Sequence, residues 1–161
     1  MEKVQLRGYS PGTIGKVTEL HGSYYGRQWN LGLRFEAQVA GDLSQFLLEL
    51  DEKRDRFFAA TVAGEVVGSL AVDGRSREEG ARLRWFVLAP THQGLGIGQI
   101  LLQAALDFCL EASFERVYLW TFAGLDAAHH LYRKFGFTLS RECTGDEWGR
   151  PLTYQMFERA L

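Results

Sequence analysis

The run Leu83-Arg84-Trp85-Phe86-Val87-Leu88 passes through Ala89-Pro90-Thr91-His92 into Gln93-Gly94-Leu95-Gly96-Ile97-Gly98, and the reading of this stretch decides the fold. The first six residues form an apolar run of strand length. From Ile97 to Ala112 the apolar residues recur at helical spacing, so the segment reads strand, glycine-rich turn, helix. Such a turn suits an anion. Glycines let the backbone approach a phosphate closely, and the unpaired N–H groups of the helix's first turn, with its positive dipole end, point at the charge.

Three phosphate-binding patterns compete for the loop. A nucleoside-triphosphate loop needs Lys and then Ser or Thr after its last glycine, but Gly98 is followed by Gln99 and Ile100. A dinucleotide fingerprint needs G-x-G-x-x-G. Counted from Gly94 and Gly96 the third glycine's place holds Gln99, and counted from Gly96 and Gly98 it holds Leu101. What remains is Gln/Arg-x-x-Gly-x-Gly, met by Gln93, Gly96 and Gly98.

With that loop, Leu88 to Gly98 resembles the strand-to-helix segment of the GNAT superfamily of N-acetyltransferases, and Leu131-Tyr132-Arg133-Lys134-Phe135-Gly136-Phe137 resembles the superfamily's second signature. Two motifs in the right order and at the right distance are far more specific than one glycine loop. The resemblance implies that an acyl-CoA pyrophosphate sits on the loop. It also implies that the central strand and the strand after the long helix splay apart to admit the pantetheine arm.

The bulk numbers are compatible with this. A chain of 161 residues is one domain's worth, and a single domain over 1–161 is expected. Its 46% hydrophobic and 24% charged residues are ordinary for a globular protein, and a formal charge of −2 gives no global field for nucleic acid or an anionic membrane. Neither partner is expected. Cys109 and Cys143 form no metal or disulfide spacing and read as inert thiols. No apolar run approaches a membrane span, and the segment Met1-Glu2-Lys3-Val4-Gln5-Leu6-Arg7 lacks the apolar centre of a signal peptide, so a cytoplasmic location is the expectation.

Along the chain, Val4 to Arg7 alternates like a strand. A helix from Thr13, as N-cap, to about Arg27 would bring Ile14, Val17, His21, Tyr24 and Tyr25 to one face. A second, from Gly32 to Leu50, would bury Phe35, Val39, Leu43, Phe46, Leu47 and Leu50. Phe57 to Val62 and Glu65 to Val72 read as a hairpin around Ala63-Gly64. After the glycine loop and its helix come a strand from Arg116 to Thr121 and a helix from Asp126 through Phe135 with Gly136 at C′. Closing strands follow at Phe137 to Glu142 and Leu152 to Glu158. The sum is an α/β fold with a mixed sheet, in the GNAT element order.

The chemistry expected is acetyl transfer from acetyl-CoA to a primary amine, and that reaction has definite requirements. A neutral amine attacks the thioester, negative charge develops on the carbonyl oxygen, and the leaving thiolate needs a proton. By the resemblance, Phe86, Val87 and Leu88 line the pantetheine, and Gln93, Gly94, Leu95, Gly96, Ile97 and Gly98 hold the pyrophosphate. Gln93 stands where Arg is commoner and offers hydrogen bonds without a fixed charge. Tyr132 is the expected general acid, since an unperturbed phenol pKa of about 10 keeps it protonated at neutral pH.

No base is identifiable. Many relatives carry Glu on the central strand where this chain has Arg84, and Asn where it has Leu125. Glu36, His21 and Asp73 are substitute candidates, and Glu36 is the one expected to be catalytic. No metal site is expected, because His129 and His130, adjacent on a helix, point apart. His21-Gly22-Ser23-Tyr24-Tyr25, Phe35 to Ala40 and Leu119-Trp120-Thr121 are also similar to acetyltransferase domains fused behind regulators of the multiple-antibiotic-resistance type, though this chain contains no such regulator. The acceptor expected is a small-molecule amine, with Tyr24, Tyr25, Trp29 and Phe35 as candidate pocket walls, and the resemblance allows a homodimer. The alternative is a non-catalytic acyl-CoA-binding module, motivated by the missing central-strand Glu.

Overall fold

In the computed structural model, which describes residues 2–161, the central strand β4 (Ala81–Leu88) lies in a seven-stranded sheet. Met1, the first residue of the segment read for a leader, lies outside the described residues. Before β4 come β1 (Gln5–Arg7), α1 (Thr13–Trp29), α2 (Leu33–Leu48), β2 (Arg56–Val62) and β3 (Glu65–Asp73). After it come a short 3-10 turn (Pro90–His92), α3 (Ile97–Glu111), β5 (Arg116–Phe122), α4 (Asp126–Lys134), β6 (Thr138–Gly145) and β7 (Leu152–Ala160). The sheet order is β1-β2-β3-β4-β5-β7-β6, and β4 with β5 is the one parallel pair among the described strands. The mixed α/β reading holds.

Two cores flank the sheet. Leu101, Leu102, Ala105, Leu106 and Cys109 of α3 pack on Val67, Leu70, Leu83, Val87, Val117 and Leu119. On the other face Val17 of α1 and Phe35, Val39, Leu43 and Phe46 of α2 pack on Phe57, Ala59, Ala71, Trp85 and Phe122. The 3.6-residue spacing of the α2 set is what puts all four on one side, and full burial of each is worth about 1.5–3 kcal/mol. Gly22 makes room for the Glu36 side chain of α2. A Cβ there would sit 2.5 Å from the Glu36 carboxylate oxygen.

Details of the boundaries differ from expectation for identifiable reasons. Gly12, with φ 92°, occupies the N-cap of α1, and Thr13 is the first helical residue. Its Oγ1 accepts the Ser10 N–H at 3.2 Å, so it ties the preceding turn and not the helix. α1 runs to Trp29, two residues past the expected end, and stops where Asn30 turns left-handed at φ 55°. At the β2–β3 hairpin Ala63 and Gly64 both have positive φ, the two-residue turn that matches strand twist. α4 ends as expected: Gly136 N–H bonds to Arg133 O at 3.0 Å and Phe137 N–H to Tyr132 O at 3.0 Å, the paired bonds of a Schellman motif with glycine at C′.

Two irregularities in β4 shape the middle of the molecule. Only Ala81, Arg82 and Leu83 pair with β5, opposite Val117, Tyr118 and Leu119, and beyond Leu83 the two strands part. On the other edge the register jumps from Ser69↔Val87 to Ala71↔Arg84, so Trp85 and Phe86 together face Leu70. This is a β-bulge, with Trp85 at φ 51° and its carbonyl held by the Ser69 hydroxyl at 2.6 Å. The bulge breaks the alternation of side chains. Consecutive residues Arg84 and Trp85 both reach α2, one to Asp42 at 3.7 Å and the other to the Phe46 ring at 5.3 Å between centroids. Phe86 turns instead toward Tyr132.

Candidate active site

The parting of β4 and β5 opens a passage. At its centre is a cleft of about 100 Å³ lined by His21, Tyr25, Trp85, Phe86, Thr121 and Tyr132, among others. One side leads to a cavity of about 240 Å³ whose walls include Phe86, Val87, Leu88, Gln93, Gly94, Leu131 and Tyr132. The other leads to a cavity of about 460 Å³ bounded by residues of α1, α2, β4, β5 and the β6–β7 turn. The three adjoin one another: Tyr25 and Thr121 line all of them.

The smaller outer cavity meets the start of α3. Gly96 is the N-cap of that helix at φ 83°, no side chain caps it, and no acidic residue lies in its first turn. Its first N–H groups therefore have no intrahelical partner and no competing carboxylate. Gly94 also has positive φ, and a Cβ added at Gly94 or Gly96 would meet no protein atom within 4 Å. These glycines answer to backbone conformation and to free space outside the loop, as a cradle for a phosphate requires. Gly98 differs: a Cβ there would press on Leu131 at 3.3 Å, so it sets how closely α3 packs on α4. Of the nine residues expected at the cofactor, Phe86, Val87, Leu88, Gln93 and Gly94 line the cavity, and Leu95, Gly96, Ile97 and Gly98 form the turn into α3. The Ile97 side chain is buried in the core, which leaves its backbone N–H for a ligand.

Tyr132 is brought to the junction between this cavity and the central cleft. Its ring is buried against Phe86, Phe137, Phe157 and His129, with centroid separations of 5.7–6.4 Å. Its hydroxyl has no protein hydrogen-bond partner among the described residues. Burial pushes the phenol's pKa up, so the group stays protonated. His129 serves a different purpose, holding α4 to β5 through Nε2 and the Phe122 carbonyl at 3.2 Å.

The three substitute bases separate clearly. His21 lines both the central cleft and the large cavity, buried, with Nδ1 2.8 Å from the Val17 carbonyl. A carbonyl oxygen only accepts, so in the neutral ring Nδ1 carries the proton and Nε2 is left as the acceptor. Burial lowers its pKa to about 4, the Val17 bond opposing this, and the ring is neutral at physiological pH. Asp73 is not in the passage walls and is already occupied. Arg75 holds it through Nε at 3.0 Å and Nη2 at 2.7 Å, and Arg84 through Nη1 at 3.2 Å. Burial works to raise that carboxyl, but these partners outweigh it and hold it below the usual range.

Glu36 is not brought to the cavity either. It is exposed on α2 with its carboxylate against Gly22, because the residues of α2 that face inward are Phe35 and Val39, one before it and three after. Arg84, at the position where a Glu was sought, is tied to Asp42 and Asp73 and lies over the Trp85 ring at 4.2 Å.

The large cavity is more aromatic than its sequence-based outline. Tyr25 and Phe35 line it, while Tyr24 lines the 240 Å³ cavity and Trp29 packs on Phe122 and over Gly124. The additional walls are Trp120, Phe122, Trp148 and Tyr154, with Arg82 and Arg84 from β4. These come from distant strands and the β6–β7 turn, so no local spacing groups them. Arg82 and Arg84 did leave a signal: two arginines at i and i+2 in an otherwise apolar central strand. Cys109 is buried, its thiol pushed up to about 12 by burial, and Cys143 is exposed and lines this cavity.

Comparison with known proteins agrees with this geometry. Residues 16–137 match the model of the acetyltransferase (GNAT) family. Among curated relatives, an N-acetylaspartate synthetase of Xenopus tropicalis is 29% identical over 96 residues, 60% of this chain and 35% of the relative. The chain thus spans well under half the length of the curated relatives it matches. Among solved structures, an acetyltransferase from Streptococcus agalactiae superposes with a TM-score of 0.79 at 19% identity, covering 100% of both chains. The structure of yncA from Salmonella typhimurium with its cofactor acetyl-CoA superposes with a TM-score of 0.75 at 18% identity, covering 99% of this chain and 94% of that one. With a family model matched over most of its length and the fold of these structures, the chain belongs to the acetyltransferase (GNAT) family.

Proposed function

We propose that residues 1–161 act as one catalytic domain that transfers an acetyl group from acetyl-CoA to a primary amine of a small molecule, by direct attack with both substrates bound. The observation that carries this reading is the row of adjoining cavities. It joins a glycine-framed helix N-terminus to a separate, larger cavity through the gap between β4 and β5. A pure acyl-CoA-binding module has no need of the second cavity. A solved relative in fold carries acetyl-CoA, and the residues here fit it.

When bound, acetyl-CoA supplies an activated thioester. The N–H groups at the start of α3 neutralise pyrophosphate charge, and Gln93 adds hydrogen bonds without adding charge. The β5-side edge of β4 beyond Leu83, which has no strand partner, offers backbone groups to the extended arm. Tyr132 presents its hydroxyl at the junction where the sulfur would lie, as a hydrogen-bond donor to the developing thiolate. His21 offers Nε2 in the cleft as an acceptor for the amine proton, relayed onward by water because its own basicity is low. Glu36 and Asp73 take no part.

The test is a thermal-shift titration with acetyl-CoA, CoA, ATP and NAD, followed by a screen of amines for CoA release. Stabilisation by both CoA species and by neither nucleotide control is expected, because a ligand of the native state alone raises apparent stability. No stabilisation by any CoA species, confirmed by calorimetry, removes the reading.

A further inference from the structure

Arg82 lines the large cavity and has no ion-pair or hydrogen-bond partner among the described residues, and its Nε is buried and unpaired. The acids on the elements packed around it are already engaged. Asp73, the residue paired with Arg82 across β3 and β4, gives its carboxylate to Arg75 and Arg84. Asp42 faces Arg84 at 3.7 Å, Glu79 accepts from Tyr118 at 3.2 Å, and Glu158 holds Arg116. Arg84, two residues on, adds repulsion. Burial and the Arg84 charge both disfavour the Arg82 cation, burial more strongly. A guanidinium in this position is costly unless an anion meets it.

The rest of the cavity constrains what that anion belongs to. The exposed carboxylate of Glu147 lines the same cavity from the β6–β7 turn, so both signs of charge face the space. Between them stand Phe35, Trp120, Phe122 and Trp148, apolar faces that would cover a ligand's body. Arg82 lies on β4 just before the strands part, with Tyr118 opposite, so a molecule held there reaches toward the cleft at Trp85 and Thr121.

We infer that the acetyl acceptor is an amino acid, an amine carrying its own carboxylate, and that Arg82 is the residue that selects it by a forked ion pair to that carboxylate. This rests on the acetyl-transfer reading above. In the transfer the amine nitrogen forms the new bond to the acetyl carbon, the carbon–sulfur bond breaks, and the amine's proton leaves by the cleft as the thiol is formed. The carboxylate takes no part in bond making.

The experiment measures CoA release with the twenty common amino acids, β-alanine and γ-aminobutyrate, each beside its carboxamide, in wild type, Arg82→Gln and Arg82→Lys. Binding of acetyl-CoA to each protein is followed by thermal shift. Wild type is expected to favour the best acid over its amide by about 10- to 100-fold in kcat/KM, the range for a hydrogen-bonded charge pair. Arg82→Gln should lose that preference while its shift with acetyl-CoA stays intact, and Arg82→Lys should recover part of it as a point charge without the fork. Should either variant fail to fold, the wild-type pairs alone decide. Amides used as well as acids, a preference that survives Arg82→Gln, or a protein that binds acetyl-CoA yet neither acetylates nor is stabilised by any acid in the panel would each overturn the inference. Absence of any acetyl-CoA shift in wild type marks the distinct failure of the acetyl-transfer reading, and the inference falls with it.

Discussion

Replacing Tyr132 by Phe separates chemistry from packing unusually cleanly here. The hydroxyl has no protein partner among the described residues, so its removal breaks no hydrogen bond, while the ring contacts with Phe86, Phe137 and Phe157 persist. Stability should therefore change by under about 0.5 kcal/mol, the usual size where no named interaction is lost. In the transfer step the same hydroxyl would donate to a sulfur gaining negative charge. A hydrogen bond to a charged group is worth about 1.5–3 kcal/mol, which at about 1.4 kcal/mol per tenfold gives a fall in kcat of about 10- to 150-fold.

The raised phenol pKa sets the upper side of that range, because full proton transfer would leave a buried phenolate. The assay is stopped-flow release of CoA at saturating amine, with a single-turnover control to show that chemistry limits the rate. Acetyl-CoA affinity should stay within about threefold, since the hydroxyl's bond is made mainly in the transition state. A kcat within twofold of wild type under those conditions refutes the role, and so does a loss confined to acetyl-CoA affinity.

Three further outcomes follow from the geometry. His21 has a folded-state pKa of about 4 against an ordinary 6.5, so the unfolded chain binds the extra proton first. Stability present above pH 6.5 should be lost as pH falls toward 4, by about 2–3 kcal/mol at pH 4.5, and His21→Gln should flatten the dependence of Tm on pH in that window. Gly96→Ala places a methyl in open space on a left-handed residue, so Tm should reflect a backbone cost of about 1–2 kcal/mol. A loss of acetyl-CoA affinity beyond that of Tm, read by calorimetry, reports a ligand lying on the loop. Asp55, fully buried, accepts the Gly74 N–H at 2.8 Å and the Asp51 N–H at 3.1 Å. Asp55→Ala should cost about 2–4 kcal/mol in urea unfolding, because the buried Gly74 N–H is left unpaired.

The helices and the glycine-rich turn were legible because their information is local. The glycine loop, the 3.6-residue pattern of Phe35, Val39, Leu43 and Phe46, and Gly136 at the end of α4 each lie within one short window of sequence. The large cavity was not, because its walls are assembled by topology: Tyr154 comes from a strand inserted between β5 and β6, and Trp148 from the turn that precedes it. Glu36 illustrates the limit of helical periodicity, which fixes a face to within one residue; a step from Phe35 takes the side chain from core to solvent. The bulge at Trp85 was invisible for another reason. It needs a non-glycine residue at positive φ, which no residue preference announces, and its holding bond comes from Ser69 on the neighbouring strand.

The three rungs between β4 and β5 carry a mechanical implication. Among the described residues, Ala81, Arg82 and Leu83 are the entire direct pairing between β1-β2-β3-β4 and β5-β7-β6, with no rung beyond Leu83. A pantetheine arm laid against the free edge would behave as a missing eighth strand, stitching the halves along the line where they part. The unliganded chain should then unfold in looser, less concerted steps than the loaded one, with β5 and β7 exchanging their amide protons ahead of β2 and β3. Under tension, the seam that yields first would be the one along which the acetyl group travels.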